Sequence, residues 1–425
     1  MAVTAVNDLA ALDAIELLAA FAAGTSTPLQ ALQGVMERVA RRNPEINAFA
    51  AMNPSALSAA RESTRRWQAG AARALEGVPL TVCDLVDVAG LPTRKGSKTT
   101  DSAPVRRDAP LVAVLRAAGA VIIGKTNVSE FGWKYQSDSP LTGITRNPWN
   151  SLHTAGGPSG GAVAASAGFF APLHIADSGV CVSAAWAGVV GLKLGSMSEN
   201  QGIAARSVAD VALLSAILKG HAQGPAHVGE LKGLKLGILR RPGFHTPAYA
   251  AGWQAVDEAV KILAAQGVMV CESAPVLPDI EPVFTNLWGA RCVGEVEHLA
   301  PDQHPLLDPG LLAVAARFRA EEKIDDHHLQ AIIADAVRSL AALDVDALIC
   351  PSVPYAAPLA ETKAQDLTCH PAAWTMLFTL TGQPALSLPM GIDPDGLPTA
   401  VQIAAIPGRR DVVLSIAHAL ERGLG

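Results

Sequence analysis

The sequence predicts an α/β protein, a largely buried mixed sheet covered by helices, and three observations lead there. From Val78 onward, short apolar runs alternate with segments of helical period. The runs are apolar on both faces, as in strands with helices packed on either side. Half of the 425 residues are hydrophobic, and mean hydropathy is +0.27, enough to fill a large core.

The N-terminal part reads as helix. "ALDAIELLAAFAAG" closes on a glycine stop, and "TPLQALQGVMERVARRNPE" has Pro28 at a helix start and Asn43-Pro44 as its terminator. The expected strands are "VPLTVCDLVDV", "AVIIGKTN", "LKLGILR", "VMVCES", "DALICPS", "PALSLPM" and "TAVQIAAI". Between them lie the helical periods "PLVAVLRAAG", "AAGWQAVDEAVKILAAQG", "DHHLQAIIADAVRSLAAL" and "RDVVLSIAHALERG". No internal repeat, low-complexity linker or composition break divides the chain. The expected organisation is therefore one domain over residues 1–425, with a helical cap at 1–70 and an α/β core at 71–425.

Charge and cysteine usage exclude several function classes. Charged residues make up 17% of the chain and the net charge is −6, without a run of like charges, so nucleic acid is not an expected partner. The first residues lack a basic segment and carry Asp8, Asp13 and Glu16 among apolar positions, which reads as a cytoplasmic protein. The most apolar stretch, Ala162 to Leu173, is interrupted by His174 and Asp177 before reaching the roughly 20 residues of a membrane span, so it reads as a core helix. The six cysteines are scattered, as suits reduced thiols rather than a disulfide framework or zinc site. "DDHH" at Asp325 to His328 reads as a helix cap, and neither a metal nor a cofactor is expected.

The segment "AGGPSGGAVAAS", residues 155–166, has enough glycine to cradle a phosphate or expose a nucleophile. No lysine follows Gly161, as a phosphate loop requires, and the dinucleotide fingerprint is missing. Gly157-Pro158-Ser159-Gly160-Gly161 matches G-x-S-x-G, but turn residues precede it where a nucleophile elbow needs a strand. On the pentad alone, a nucleophile and a glycine-rich helix start with Ser159 as its cap both stay open.

Blocks along nearly the whole chain carry a resemblance. They include "LEGVPLTVCDLVDVAGLPTRKGS", "DAPLVAVLRAAGAVIIGKTNVSEFGW", "SPLTGITRNPWN", the glycine loop, "AAWAGVVGLK", "DALICPSVP", "LTGQPALSLPMG" and "GLPTAVQIAA". In this order they resemble the amidase signature family of serine amidohydrolases. The resemblance implies a mixed, twisted sheet sandwiched by helices. It also implies cleavage of amide C–N bonds by a Ser-Ser-Lys triad, in which a lysine takes a proton relayed through one serine while a second attacks the carbonyl.

Each triad position departs from that pattern. Matching the motifs puts Cys83 at the lysine, Pro158 at the relay serine and Gly179 at the nucleophile. A thiol has one weak donor where an ammonium has three, so Cys83 does not replace the lysine unchanged, and Lys95, Lys98 and Lys125 occupy other family positions. Proline keeps a bend while discarding a hydroxyl. Because the trans preference before proline is only about 0.5–1 kcal/mol, Gly157-Pro158 is expected to be cis. The resemblance further implies that any pocket is lined around Asp84, Lys125 to Glu130, Asn147 to Pro158, Cys350 and Gly382.

Loss of all three groups gives the expectation of a catalytically degenerate homologue. It would act as a partner or binding subunit, with a protein partner, a second copy of itself or a small amide-like ligand. The alternative is an active amidohydrolase with a rebuilt site using Ser159, Ser178, or a thiolate at Cys83 or Cys181.

Overall fold

The computed structural model describes residues 8–177, 179–194, 201–220, 229–246, 249–321 and 324–424. Its strands are β1 (Phe49–Met52), β2 (Pro79–Cys83), β3 (Val121–Thr126), β4 (Asp138–Ser139), β5 (Gly143–Ile144), β6 (Leu173–Ala176) and β7 (Val190–Lys193). They continue with β8 (Gly202–Ala205), β9 (Lys235–Leu239), β10 (Met269–Ser273), β11 (Ala347–Pro351), β12 (Ala385–Ile392) and β13 (Pro398–Ala405). All except the β4–β5 pair join one sheet, in the order β1, β3, β2, β6, β8, β7, β12, β13, β11, β9, β10.

The sheet is mixed. β2 runs parallel to β3 and β6, and β9 parallel to β10 and β11, while β6, β8, β7, β12, β13 and β11 join antiparallel in that order. Alternation along β2 sorts its side chains. Leu80 and Val82 join the main core, which includes Val211 and Leu214 of helix Val208–Leu218 and Val413 and Ala417 of helix Arg410–Leu424. Thr81 and Cys83 belong to the opposite set, where Thr81 Oγ1 lies 2.6 Å from His174 Nδ1 of β6.

Helices Gly160–Ala167 and Val180–Ala187 pack against one another and are buried almost throughout. That burial explains why their sequences are mostly Ala, Val and Gly without a polar stripe. Both start close to the carboxyl ends of strands, which is where they place functional groups.

Two local expectations are corrected. The helix beginning at Pro28 does not stop at Asn43-Pro44 but continues to Ile46. Proline's φ suits a helix, so Pro44 costs it one N–H without ending it. Asn47 closes it instead, with φ 55° and its N–H donating 2.7 Å to Asn43 O. The segment expected to be a purely helical cap also contributes β1, which pairs antiparallel with β3 at the sheet edge.

Candidate active site

β2 and β6 are parallel neighbours with Val82 opposite Ile175, so their carboxyl ends bring Cys83 beside Asp177. The crevice beyond parallel strand ends is where α/β proteins assemble their sites. The glycine loop delivers Ser159 to the same point, at the N-terminal end of helix Gly160–Ala167.

Ser159 does not cap that helix through its side chain. Its Oγ donates to Asp177 Oδ1 at 2.9 Å and accepts from the Asp177 N–H at 3.0 Å. The hydroxyl thus satisfies a carboxylate on the next strand rather than its own helix. Cys83 is buried beside Ser159 and Asp177, so the three side chains form one buried cluster.

Electrostatics separate their roles. Burial raises the Asp177 carboxyl to about 6, against the Ser159 hydrogen bond, the positive charge of Arg291 and the Gly179 N–H, which hold it down. Burial and then the Asp177 charge push the Cys83 thiol up to about 12, and burial lifts Cys181 to about 11. Neither thiol ionises appreciably at neutral pH, which removes the chemistry a cysteine nucleophile needs. A carboxylate that exchanges its proton near pH 6 beside a serine hydroxyl is suited to base catalysis.

Pro158 and Gly179 meet in space. The Gly157-Pro158 bond is cis, as expected from the sequence. A Cβ placed on Gly179 would lie 2.8 Å from Pro158 Cδ and 3.4 Å from Asp177 Oδ2. A proline at 158 therefore leaves no room for a side chain at 179. Ser178 lies outside the described residues.

Lys125 stands in β3 opposite Val82, with Nζ 3.0 Å from Asp84 Oδ1, 3.0 Å from Thr93 Oγ1 and 3.3 Å from Pro92 O. Those contacts commit the ammonium to holding the region between β2 and β3.

Glycine at 161 has a steric cause. A Cβ there would sit 2.4 Å from Asn127 N and 2.5 Å from Ala48 O, both backbone atoms. Gly161→Ala should therefore cost about 1–3 kcal/mol as an overpacking substitution, read as a lower denaturation midpoint with unchanged slope. An unchanged midpoint would show that the loop has room to move.

A cavity of about 1130 Å³ opens beside this cluster, lined among others by Trp133, Tyr135, Gln136, Phe284, Trp288 and His370. Ser159, Cys83 and Asp177 are not in its wall. Tyr135 touches both regions, since its Cε1 lies 3.4 Å from where a Gly179 Cβ would be. The segments expected to line a pocket, around Asp84, Lys125 to Glu130, Asn147 to Pro158, Cys350 and Gly382, do not line this one. The physical reason is packing: Asp84 is closed off by Lys125, and the backbone of 134–136 lies across Gly157, whose Cβ would come within 2.9–3.2 Å of it.

Tyr135, Gln136, Arg291 and His370 were not identifiable from the sequence. No motif marks them, and Arg291 comes from helix Glu281–Glu297, far along the chain. At "DDHH", Asp325 accepts the His328 N–H at 3.0 Å, so this cluster caps a helix. Among the described residues no helix is long and apolar enough to cross a membrane.

The amidase family model matches residues 30–414. A glutamyl-tRNA(Gln) amidotransferase subunit from Acidothermus cellulolyticus is 31% identical over 98% of this chain and 95% of its own. Subunits of the same name from Salinispora tropica and Paenarthrobacter aurescens match at 30% and 31%. Among solved structures, a bacterial aryl acylamidase of the amidase signature family superposes with TM-score 0.86 at 19% identity, covering 97% of this chain and 96% of that one. The 6-aminohexanoate cyclic dimer hydrolase complexed with substrate gives 0.84 at 26%, covering 99% and 98%.

These relatives correct the expectation of a catalytically degenerate homologue that serves only to bind. Proteins named for amide chemistry match at about 30% identity over nearly the whole chain, which supports an amidase-family function and not a scaffold that has left catalysis. Sequence and fold agree, and the chain belongs to the amidase signature family.

Proposed function

We propose that this protein is an amidohydrolase that cleaves a C–N amide bond through a rebuilt site, with Ser159 as nucleophile and Asp177 as general base. The observation that carries this reading is the 2.9 Å hydrogen bond from Ser159 Oγ to the Asp177 carboxylate. Ser159 Oγ attacks the amide carbonyl and its proton passes to Asp177. The tetrahedral intermediate then expels the amine, which takes that proton as the C–N bond breaks. Water, deprotonated by the same carboxylate, attacks the acyl-serine and releases the acid, returning the proton to Ser159. The N-terminal end of helix Gly160–Ala167 points its partial positive charge toward this serine, which favours the developing anion. The whole chain acts as one amidase-signature unit in this reading, and the names of its relatives, as members of an amidotransferase assembly, favour a protein partner.

Hydrolysis of a panel of simple amides, followed by ammonia or amine release, tests the proposal together with serine labelling by a fluorophosphonate. Turnover and labelling should both disappear in Ser159→Ala. No turnover and no labelling of the unmodified chain, or labelling that survives Ser159→Ala, overturns it.

The pH profile is a separate prediction. The base must be ionised, so kcat/KM should fall tenfold per unit below about pH 6 and be level above it. Folding stability runs the other way. A carboxyl raised from 3.8 to about 6 on folding holds its proton more tightly in the native state, so its contribution weakens as pH rises between those values and then stays constant. A flat rate profile from pH 5 to 8 would remove Asp177 from the base role.

A further inference from the structure

The cavity beside the cluster has an unusual wall. Trp133 and Trp288 stack at 6.2 Å, Phe284 and Trp288 stack at 6.1 Å, and His370 meets Phe284 edge-on at 4.5 Å and Tyr135 at 5.2 Å. Aromatic residues are only 4% of this chain, and Trp133, Tyr135, Phe284 and Trp288 meet in this one wall. His370 is neutral, its pKa lowered to about 4 by burial, and extends the apolar surface. Among the charged residues of the wall, basic and acidic side chains are equal in number. Lys134 is already engaged, 2.7 Å from Asp138 and 2.6 Å from Asp308.

A buried amide of the wall is unpaired. Gln136 is 2% exposed, and neither its amide nitrogen nor its amide oxygen has a hydrogen-bond partner. A buried amide left in that state is costly, by several times the net worth of an ordinary hydrogen bond in the protein. A carboxamide is its chemical complement, since it offers an acceptor to the Gln136 NH₂ and a donor to the Gln136 oxygen. The backbone carbon of Gln136 lies 3.2 Å from where a Gly157 Cβ would be, so the chain that carries this side chain passes next to the loop of Ser159.

We propose that the cavity selects an uncharged amide bearing a planar aromatic ring, with the ring against the Trp133–Trp288–Phe284 wall and Gln136 reading the carboxamide. Gln136 is then a specificity-determining residue. This assignment rests on the hydrolase reading above for its place next to Ser159, but binding tests it without turnover.

The test titrates benzamide and cyclohexanecarboxamide against the full-length Ser159→Ala chain by intrinsic tryptophan fluorescence. The two probes share a carboxamide and ring size and differ in planarity. Benzamide should bind at least tenfold tighter. Gln136→Leu in that background should weaken benzamide roughly tenfold, and Trp288→Leu should erase the difference between the probes, with circular dichroism confirming that each variant is folded. Equal affinity for the two probes, or a benzamide affinity that both variants leave unmoved, overturns the proposal. Benzamide binding as expected without hydrolysis by the unmodified chain would sink the Ser159 mechanism and leave the cavity assignment standing. Hydrolysis with no aromatic preference would do the reverse.

Discussion

Ser159→Ala should lower kcat for amide hydrolysis on the order of 10³- to 10⁶-fold, the range over which loss of a serine nucleophile acts when binding and oxyanion contacts survive. The substitution also has a structural effect. It deprives the Asp177 N–H of its acceptor at 3.0 Å and the carboxylate of its donor at 2.9 Å. Buried groups left unpaired in this way cost about 1–3 kcal/mol. Thermal unfolding of the variant separates the two consequences: a folded protein without turnover identifies the nucleophile. A folded Ser159→Ala chain that keeps more than a tenth of its activity removes Ser159 from the chemistry and leaves Ser178 as the remaining candidate.

Lys125→Met should cost about 3–5 kcal/mol of stability, because it leaves the buried Asp84 charge without its cation. Lys125 and Asp84 side chains are 0% and 2% exposed and 3.0 Å apart. Burial raises the Asp84 pKa, and the Lys125 charge and hydrogen bond are the principal forces pulling it down. Without the lysine the carboxyl should take up a proton, so the variant should gain stability as pH is lowered, the direction expected of a carboxyl raised on folding. Asp84→Asn in the same background should recover most of the loss, since a neutral amide does not bear the cost of a buried charge. Urea denaturation measures all three proteins. A single variant that loses less than about 1 kcal/mol would show that the pair is not what holds this loop region together.

How much the sequence revealed depended on the distance over which each signal acts. Long amphipathic periods such as "AAGWQAVDEAVKILAAQG" and β-branched runs such as "AVIIGKTN" contain their own evidence, and both form the elements they predict. β6, β7 and β8 were not legible. "LHIA", "VGLK" and "GIAA" are four-residue strands with few branched or aromatic side chains, and they are extended because neighbours on both sides pair with them. Pro44 shows the opposite case, where a strong local breaker was outweighed by the packing of the helix that contains it.

The site divides along the same line. Sequence alone determined the α/β class and the family, and the resemblance assigned Cys83, Pro158 and Gly179 to the triad positions, with a serine beside them. Those are matters of residue identity and order. Only the tertiary structure decided what that serine bonds to, because its partner is Asp177, 18 residues away on another element, and no local rule links a helix-start serine to a neighbouring strand end. Burial also raises the Cys83 and Cys181 thiols and lifts the Asp177 carboxyl to about 6, shifts that no local sequence shows. The fit of Pro158 against Gly179 and the unpaired Gln136 in an aromatic wall are likewise facts of packing, set by groups that meet only once the chain has folded.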